Sequence, residues 1–381
     1  MVATGALIGL LGTKLRYLGK IKPTTIDNTI FKLHYRWTTN MLLVASIVVT
    51  CTQFFGDPIT CVKSERFVNP AIINNYCWIE GTFTIPQALT KVPGTEVALP
   101  GIEKTPTDAT DLLVHKYYQW VWWVLFLQAL AFYCTRIIWK NWENGIVAKL
   151  ITNLNRALID EAEKKQNSHF LVNFLRDRKG HLNHYALKFL FCEIFNLFHV
   201  IIEIVITDTF LGGYFLDYGY LVMAYSGDIE DINPMTKVFP KMTKCTFRVY
   251  GSSGDIQIYD NFCLLPLNII NEKIYLFLWI WFIFLTFASC LSVIHRLVSF
   301  IYPPFRQKLL QYLGRRASAQ THVTLIESLS YGDWFLLYLI GQNIEQSHLG
   351  EVLELFALQL DEEAYEAAEA PKAKKLSESS I

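Results

Sequence analysis

Long apolar segments without charged side chains are the strongest pattern in this 381-residue chain. Residues 37–56, 117–135 and 274–294 contain no Asp, Glu, Lys or Arg, and residues 189–207 contain only two acids. A helix needs about 20 consecutive apolar residues to cross the hydrocarbon core of a bilayer, and each segment meets or approaches that length. The pattern therefore predicts four transmembrane helices, separated by polar stretches.

These spans divide the rest of the chain into loops and termini. The predicted segments are an N-terminal segment at 1–22, a short segment at 23–36, spans at 37–56, 117–138, 187–207 and 274–300, a first loop at 57–116, a central loop at 139–186, a second loop at 208–273, a helical C-terminal region at 301–360 and a tail at 361–381. The tail is rich in Ala, Glu, Lys and Ser, and this composition predicts disorder.

The distribution of basic residues predicts the orientation of the spans. Residues 1–36 carry six Lys or Arg against one acid, and residues 136–188 carry ten against five. Residues 57–116 carry five against seven acids, and residues 208–273 carry five against eight. Because Lys and Arg accumulate in cytoplasmic loops, we expect both termini and the central loop in the cytoplasm. The other two loops are then extracellular.

The eight cysteines fall into two groups that this topology separates. Cys61 and Cys77 lie in the first loop, and Cys245 and Cys263 lie in the second. The remaining four lie inside the spans, where we interpret them as small packing residues: Cys51, Cys134, Cys192 and Cys290. Disulfides persist in oxidising compartments, so the loop cysteines are expected to form two bonds outside the cell. Four cysteines allow three pairings, and their spacing does not choose among them.

The second loop also contains a strand pattern. Phe247 and Val249 alternate with polar residues, Gly251-Ser252-Ser253-Gly254 follows, and Ile256 and Ile258 alternate again. This pattern predicts a β-hairpin with a four-residue turn between Cys245 and Cys263. The predicted fold is thus a mainly α membrane protein with four transmembrane helices, a small disulfide-stapled α/β extracellular domain and a helical cytoplasmic domain.

Several motifs resemble those of the innexins, the invertebrate gap-junction proteins, which are related to pannexins. The most specific is Tyr117-Tyr118-Gln119-Trp120-Val121 at the start of the second span, which matches the family signature YYQWV. Further matches are Gly56-Asp57-Pro58-Ile59 before Cys61, Tyr76-Cys77-Trp78-Ile79, the run from Phe239 to Phe247, the run from Leu267 to Tyr275, and Gly332-Asp333-Trp334-Phe335-Leu336-Leu337.

The resemblance implies a subunit of a gap-junction channel in the plasma membrane, without a cofactor. Its expected partners are copies of itself in a ring, an octamer by resemblance, together with an apposed ring on a neighbouring cell, other innexins and the lipid bilayer. The resemblance also implies the disulfides Cys61–Cys263 and Cys77–Cys245. It places residues 1–22 in the pore as a funnel, with candidate lining residues Val2, Ala3, Thr4, Leu7 and Ile8.

Three acids near or inside the spans are further candidates. Asp57 follows the first span, where it is either an outer pore acid that attracts cations or a turn residue before Pro58, and we weigh the two equally. Glu193 and Glu203 share one polar arc of the third span, and acids within a membrane are functional candidates by default. We favour buried hydrogen-bonding struts for both, because the resemblance assigns the pore to the first two spans.

The sequence gives less support to other functions. No nucleophile–base arrangement, phosphate loop or metal-ligand spacing predicts an enzyme, and a net charge of zero gives no sign of nucleic-acid binding. A non-junctional pannexin-like hemichannel and a four-span adhesion or scaffold protein remain alternatives. No Asn-X-Ser/Thr triplet occurs, so N-linked sugars do not block docking of the outer loops.

Overall fold

The computed structural model describes residues 24–62, 69–105, 112–156, 160–227 and 233–378. Four of its helices are long and apolar enough to cross a membrane, which confirms the predicted four-span architecture. Even the shortest, with 23 residues, is about 35 Å long, slightly more than a bilayer core of about 30 Å. The helices extend beyond the apolar segments, because backbone hydrogen bonding continues into the polar residues at their ends.

The described elements alternate between these long helices and shorter ones. The helices are α1 (Thr29–Phe55, with a π-helical stretch at Leu33–Thr38), α2 (Pro70–Glu80), α3 (Val121–Glu143), α4 (Ile146–Leu150), α5 (Glu161–Asp177), α6 (Asn183–Phe210), α7 (Phe215–Ala224), α8 (Pro234–Val238), α9 (Leu267–Ile301), α10 (Pro303–Leu313), α11 (Ala319–Ser328), α12 (Tyr331–Gly341) and α13 (Gln346–Glu378). The strands are β1 (Thr60–Cys61), β2 (Thr82–Thr84), β3 (Leu113–His115), β4 (Met242–Tyr250) and β5 (Ile256–Leu264).

The five strands form one antiparallel sheet in the order β1-β5-β4-β2-β3. The first three strands come from the first predicted loop and the last two from the second, so the two loops build a single sheet. The predicted hairpin is confirmed: β4 and β5 pair from Met242↔Leu264 to Tyr250↔Ile256. Gly254 in the connecting turn has φ +87°, a conformation that favours glycine.

The chain divides into two compact units, and the division falls inside the long helices. The first, here called the sheet unit, comprises Lys32–Thr135 and Asn196–Ser289 and contains the β-sheet. Each of the four long helices contributes to its apolar core, which includes Leu42, Val49, Leu125, Phe132, Val200, Tyr275 and Phe282.

The second, here called the helical unit, comprises the described residues up to Phe31, Arg136–Phe195 and the described residues from Cys290 onward. At its centre, α12 buries nearly all of its side chains, as expected of a helix that is apolar on every side. Its N-terminus carries a capping box between Ser330 and Asp333. A side chain at Gly332 would meet backbone atoms of Leu182 and Asn183 at 2.4 Å, so only glycine fits there.

The tail differs from its prediction. The sequence predicts disorder for 361–381, but α13 continues to Glu378. Residues 361–366 are exposed, so packing does not hold this part of the helix. The Ala and Glu residues before Pro371 have high helix propensity, which favours an exposed helix up to that point. Propensity does not account for the continuation of the helix through Pro371. Low hydrophobicity, on which the prediction rested, argues against burial but not against an exposed helix.

Candidate functional site

Two disulfides join the first and second loops. Cys61 on β1 pairs in register with Cys263 on β5, with the Cα atoms 3.9 Å apart. Cys77 on α2 is bonded to Cys245 on β4, with a Cα separation of 5.8 Å. This is the pairing that the family resemblance implies. The bonds close segments of 202 and 168 residues, so each links parts of the chain that are far apart in sequence.

The two disulfides lie side by side in a small apolar core. The sulfur atoms of Cys61, Cys77 and Cys263 lie within 4.8 Å of one another. All three sulfurs are oxidised, so they offer no thiolate to a metal ion. Around them pack buried apolar side chains from both loops and from the start of the second span: Ile59, Ile73, Tyr118 and Leu265.

The signature at residues 117–121 attaches this core to α3. Tyr118 is 1% exposed and packs on Trp78 with the ring centroids 4.8 Å apart. The Gln119 side-chain amide donates to the backbone carbonyls of Trp78 and Ile79 at the end of α2. Tyr117 donates its hydroxyl to the carbonyl of Val238, at 3.2 Å. The signature is therefore a structural joint between the sheet and the second span.

Two further members of the signature differ in exposure. Val121 is fully buried in the apolar core of the sheet unit. Trp120 is 58% exposed at the end of a candidate span, the level at which indole rings favour the bilayer interface.

A buried lysine, Lys244, fixes the centre of the sheet. Its Nζ donates to the Glu103 carbonyl at 2.8 Å, to Thr105 Oγ1 at 2.6 Å and to Asp260 Oδ2 at 2.9 Å. Burial raises the pKa of Asp260, but hydrogen bonds from Thr105, Lys244 and Thr246 and the lysine charge outweigh it, so the pKa lies below its ordinary value. Sequence analysis missed this network, because Lys244 in a strand reads as a solvated residue.

The tip of the hairpin exposes apolar side chains instead. Tyr250, Ile256 and Ile258 are 76%, 61% and 64% exposed. Tyr250 pairs directly with Ile256, and Ile258 lies two residues further along β5, so all three share one face. An apolar patch on a sheet outside the candidate spans is typical of a protein–protein contact surface.

Glu193 lies in a closed polar network of the helical unit. Both carboxylate oxygens contact Arg296 on α9, and Oε1 also accepts from Asn28 at 2.6 Å and from Ser292 at 3.0 Å. The Arg296 guanidinium lies 5.0 Å from the Phe189 ring centre and 4.7 Å from that of Phe335. The carboxylate thus accepts hydrogen bonds from three side chains of the helical unit, an arrangement that is compatible with the strut interpretation.

Residues 25–28, just before α1, are held at several points of the helical unit. Thr25 and Asn343 form a two-way backbone–side-chain pair, at 2.6 and 2.7 Å. The carbonyl of Ile26 accepts from the indole of Trp139 at 2.8 Å, and the adjacent acid, Asp27, pairs with Arg136 at 2.8 Å. These contacts fix the chain at the point where it leaves the predicted N-terminal funnel segment.

Glu203 belongs to the sheet unit, unlike Glu193. Its Oε1 lies 3.2 Å from His199 Nε2, and its backbone carbonyl accepts from Thr207, which in turn accepts from Gln128. The shared polar arc of the two acids therefore divides into two separate networks. The helical period reveals the arc, but it does not reveal which helix supplies each partner.

The predicted pore residues are placed only in part. Asp57 is exposed between Gly56, which ends α1, and Pro58. An exposed position is compatible with both interpretations of this acid. Val2, Ala3, Thr4, Leu7 and Ile8 lie outside the described residues.

Comparison with known proteins identifies relatives across nearly the whole chain. Residues 27–360 match the family model named Innexin. The chain is 39% identical to Innexin inx2 of Drosophila melanogaster, over 92% of this chain and 96% of that protein. It is 40% identical to Innexin inx2 of Schistocerca americana, over 90% and 95%. It is 39% identical to Innexin shaking-B of Drosophila melanogaster, over 91% and 93%.

Proposed function

The chain belongs to the innexin family and is a gap-junction channel subunit; we propose that it docks with an apposed ring of subunits through its disulfide-bonded sheet. The observation that carries the docking proposal is the exposed apolar face at Tyr250, Ile256 and Ile258 on a covalently braced hairpin. A rigid surface loses little conformational freedom on binding, so it is well suited to contact another copy.

Docking between cells requires the sheet to lie on the extracellular side of the membrane. The sheet faces the extracellular space, where disulfides persist, and the central loop at 139–186, the C-terminal region at 301–360 and both termini lie in the cytoplasm. The excess of basic residues in 1–36 and 136–188 supports this orientation. The protein then lies in the plasma membrane as a four-span subunit at cell contacts.

The assembly is a ring of like subunits around a pore, with eight copies as the proposed number. Other innexins are proposed as partners within the ring. Residues 1–22 line the pore mouth, with the narrowest part near Val2 to Ile8. Because Met1 to Thr13 carry no charged side chain, the pore is expected to select weakly between cations and anions.

Paired cells that express only this chain test the proposal. We expect current between the two cells of a pair, and dye transfer with it. Ile258→Lys should abolish current between cells while protein at the surface and single-cell currents persist, because it places a charge in the docking face. Leu358→Lys, at a position that is 62% exposed in the helical unit, is the matched control and should leave coupling intact.

The other outcomes favour different functions. Current in single cells but never between pairs would support a hemichannel. No current in either would support an adhesion or scaffold protein, or a subunit that requires a partner. Unchanged coupling in Ile258→Lys would contradict docking through this face of the hairpin.

A further inference from the structure

Ser318 in the helical unit is exposed and follows two arginines in the sequence. An arginine three residues before a serine occurs at two places in the chain, Arg296–Ser299 and Arg315–Ser318. Ser299 is fully buried at the end of a candidate span, so it is closed to any enzyme. Ser318 is exposed, and a second arginine, Arg316, precedes it by two positions.

The local structure presents this serine on a short linker. Residues 314–318 connect α10 to α11, and Ser318 is the N-cap of α11 with an extended backbone, φ −65° and ψ 155°. Its Oγ accepts from the Thr321 amide at 3.1 Å and lies 2.8 Å from Thr321 Oγ1, so both contacts are to one residue in the first turn of the same helix. Arg315 lies over the exposed ring of Tyr312 at 4.7 Å. Across the described residues, neither Arg315 nor Arg316 forms an ion pair, so both guanidinium groups are open to an acidic partner.

We propose that Ser318 is a phosphorylation site for a cytosolic, arginine-directed serine kinase. Guanidinium groups bind carboxylates in a bidentate manner, so a kinase cleft with acids on the N-terminal side of the acceptor would hold Arg315 and Arg316. The inference rests on the cytoplasmic placement of the C-terminal region at 301–360 in the proposed function.

In the transfer, Ser318 Oγ attacks the γ-phosphorus of a bound nucleoside triphosphate. The Oγ–P bond forms, the bond from that phosphorus to the β,γ-bridging oxygen breaks, and the nucleoside diphosphate leaves. A carboxylate of the kinase accepts the hydroxyl proton and releases it to water. The kinase and the triphosphate are the only co-reactants.

The modification would change the contact between α11 and α13. Ser318 shares a groove of about 240 Å³ with Glu354 and Asp361 of α13. A phosphate adds about −1.5 to −2 charges at neutral pH. The N-terminus of α11 attracts that charge, so the cap is kept, while the two carboxylates across the groove are repelled. The repulsion acts on α13 and loosens it from α11.

The test uses the purified full-length protein in detergent, the catalytic subunit of a cyclic-AMP-dependent kinase and labelled ATP. We expect about one phosphate per chain, mapped by mass spectrometry to Ser318, because this serine alone combines the motif with exposure. Ser318→Asn is the non-acceptor variant, since Asn caps helices as well as Ser does. Ser328→Ala, at the other end of α11, is the matched control and should label normally.

Two further measurements complete the test. Arg315→Ala with Arg316→Ala should lower the labelling rate about tenfold or more, because both bidentate contacts are lost. Hydrogen exchange of α13 near 354–361 should accelerate in the phosphorylated chain, and Glu354→Gln with Asp361→Asn should remove that acceleration. Detergent labelling does not depend on docking or orientation, so its failure is distinguishable from a failure of the channel proposal.

Three results would overturn the inference. These are equal labelling of Ser318→Asn, transfer to another serine such as Ser377, and no transfer to the folded protein under conditions that label a peptide of residues 312–322. Cells supply the last arm: phosphate at Ser318 in protein from kinase-stimulated cells supports the site, and its absence under stimulation contradicts it.

Discussion

Arg296 on α9 holds both carboxylate oxygens of Glu193 on α6, with Nε 2.7 Å from Oε2 and Nη2 3.2 Å from Oε1. Both residues are almost completely buried, at 6% and 4% exposure. In a buried ion pair, well-aligned hydrogen bonds offset the cost of removing both charges from water. Removing one partner leaves an uncompensated charge in a medium of low polarity. The pair therefore ties the third span to the fourth within the helical unit.

We predict that Glu193→Gln lowers the free energy of unfolding by about 3–5 kcal/mol, because it leaves the Arg296 charge unpaired. The thermal midpoint of the purified protein measures this effect. Combining Glu193→Gln with Arg296→Gln should cost less than the sum of the two single changes. Glu161→Gln neutralises an acid whose side chain is 90% exposed in the same unit and should change little. A Glu193→Gln protein as stable as the wild type would contradict the structural role.

Because the two disulfides are adjacent, we predict that single and double cysteine variants differ in their remaining disulfide pairing. Removing Cys61 frees the Cys263 thiol, which lies within 4.8 Å of the Cys77 sulfur. A free thiolate at that distance can attack the remaining Cys77–Cys245 bond by exchange. Cys61→Ser should therefore abolish cell-to-cell coupling even where the protein reaches the surface, and Cys245→Ser should do the same.

The double variant Cys61→Ser with Cys263→Ser should keep a homogeneous Cys77–Cys245 bond, because it leaves no attacking thiol. Peptide mapping of the disulfides after proteolysis measures this, with mixed pairs expected only in the single variant. Cys134→Ser, a free and exposed cysteine of α3, is the control. Normal coupling in both single variants, or mixed pairing in the double variant, would refute the respective part of the prediction.

The features that sequence reasoning recovers are those with a strong local period. The four spans follow from uncharged apolar segments, and the hairpin follows from alternation around Gly251–Gly254. Lys244 and His115 are different, because a polar residue in a strand gives no sign of whether partners elsewhere in the chain will bury it. The Asn343–Thr25 pair joins residues 318 positions apart, and no pattern in either segment encodes that contact. Long-range polar partners are set by tertiary packing, which a periodicity analysis does not contain.

That Asn343–Thr25 pair predicts a local change in dynamics. Asn343→Ala removes the acceptor of the Thr25 amide and the donor to the Thr25 carbonyl. A lost hydrogen bond to a partly buried amide costs about 1–3 kcal/mol, so exchange of this amide should accelerate about tenfold or more. Hydrogen exchange with mass spectrometry of a peptide that covers residues 24–31 measures it. Gln342→Ala, at an exposed neighbouring position, should leave exchange unchanged. Equal protection in the two variants would show that Asn343 does not hold this segment.

His115 on β3 predicts how stability depends on pH. It is 5% exposed, its Nε2 lies 2.9 Å from Thr84 Oγ1, and burial lowers its pKa to about 4. The unfolded chain binds the proton near pH 6.5, while the folded chain binds it only near pH 4, so protonation favours unfolding between these values. This stabilising contribution is complete above the unfolded pKa and is lost as the pH falls toward the folded pKa.

From about pH 7.5 to about pH 5, the wild type should lose about 2 kcal/mol more than a variant in which residue 115 does not titrate. His115→Gln supplies that variant, because Gln keeps a neutral polar group for Thr84. Denaturant unfolding of the purified protein at several pH values gives both curves. His181→Gln, an exposed histidine of the helical unit, should keep the wild-type slope. If His115→Gln also keeps that slope, the folded protein protonates His115 as readily as the unfolded chain does, and the histidine is not held neutral by burial.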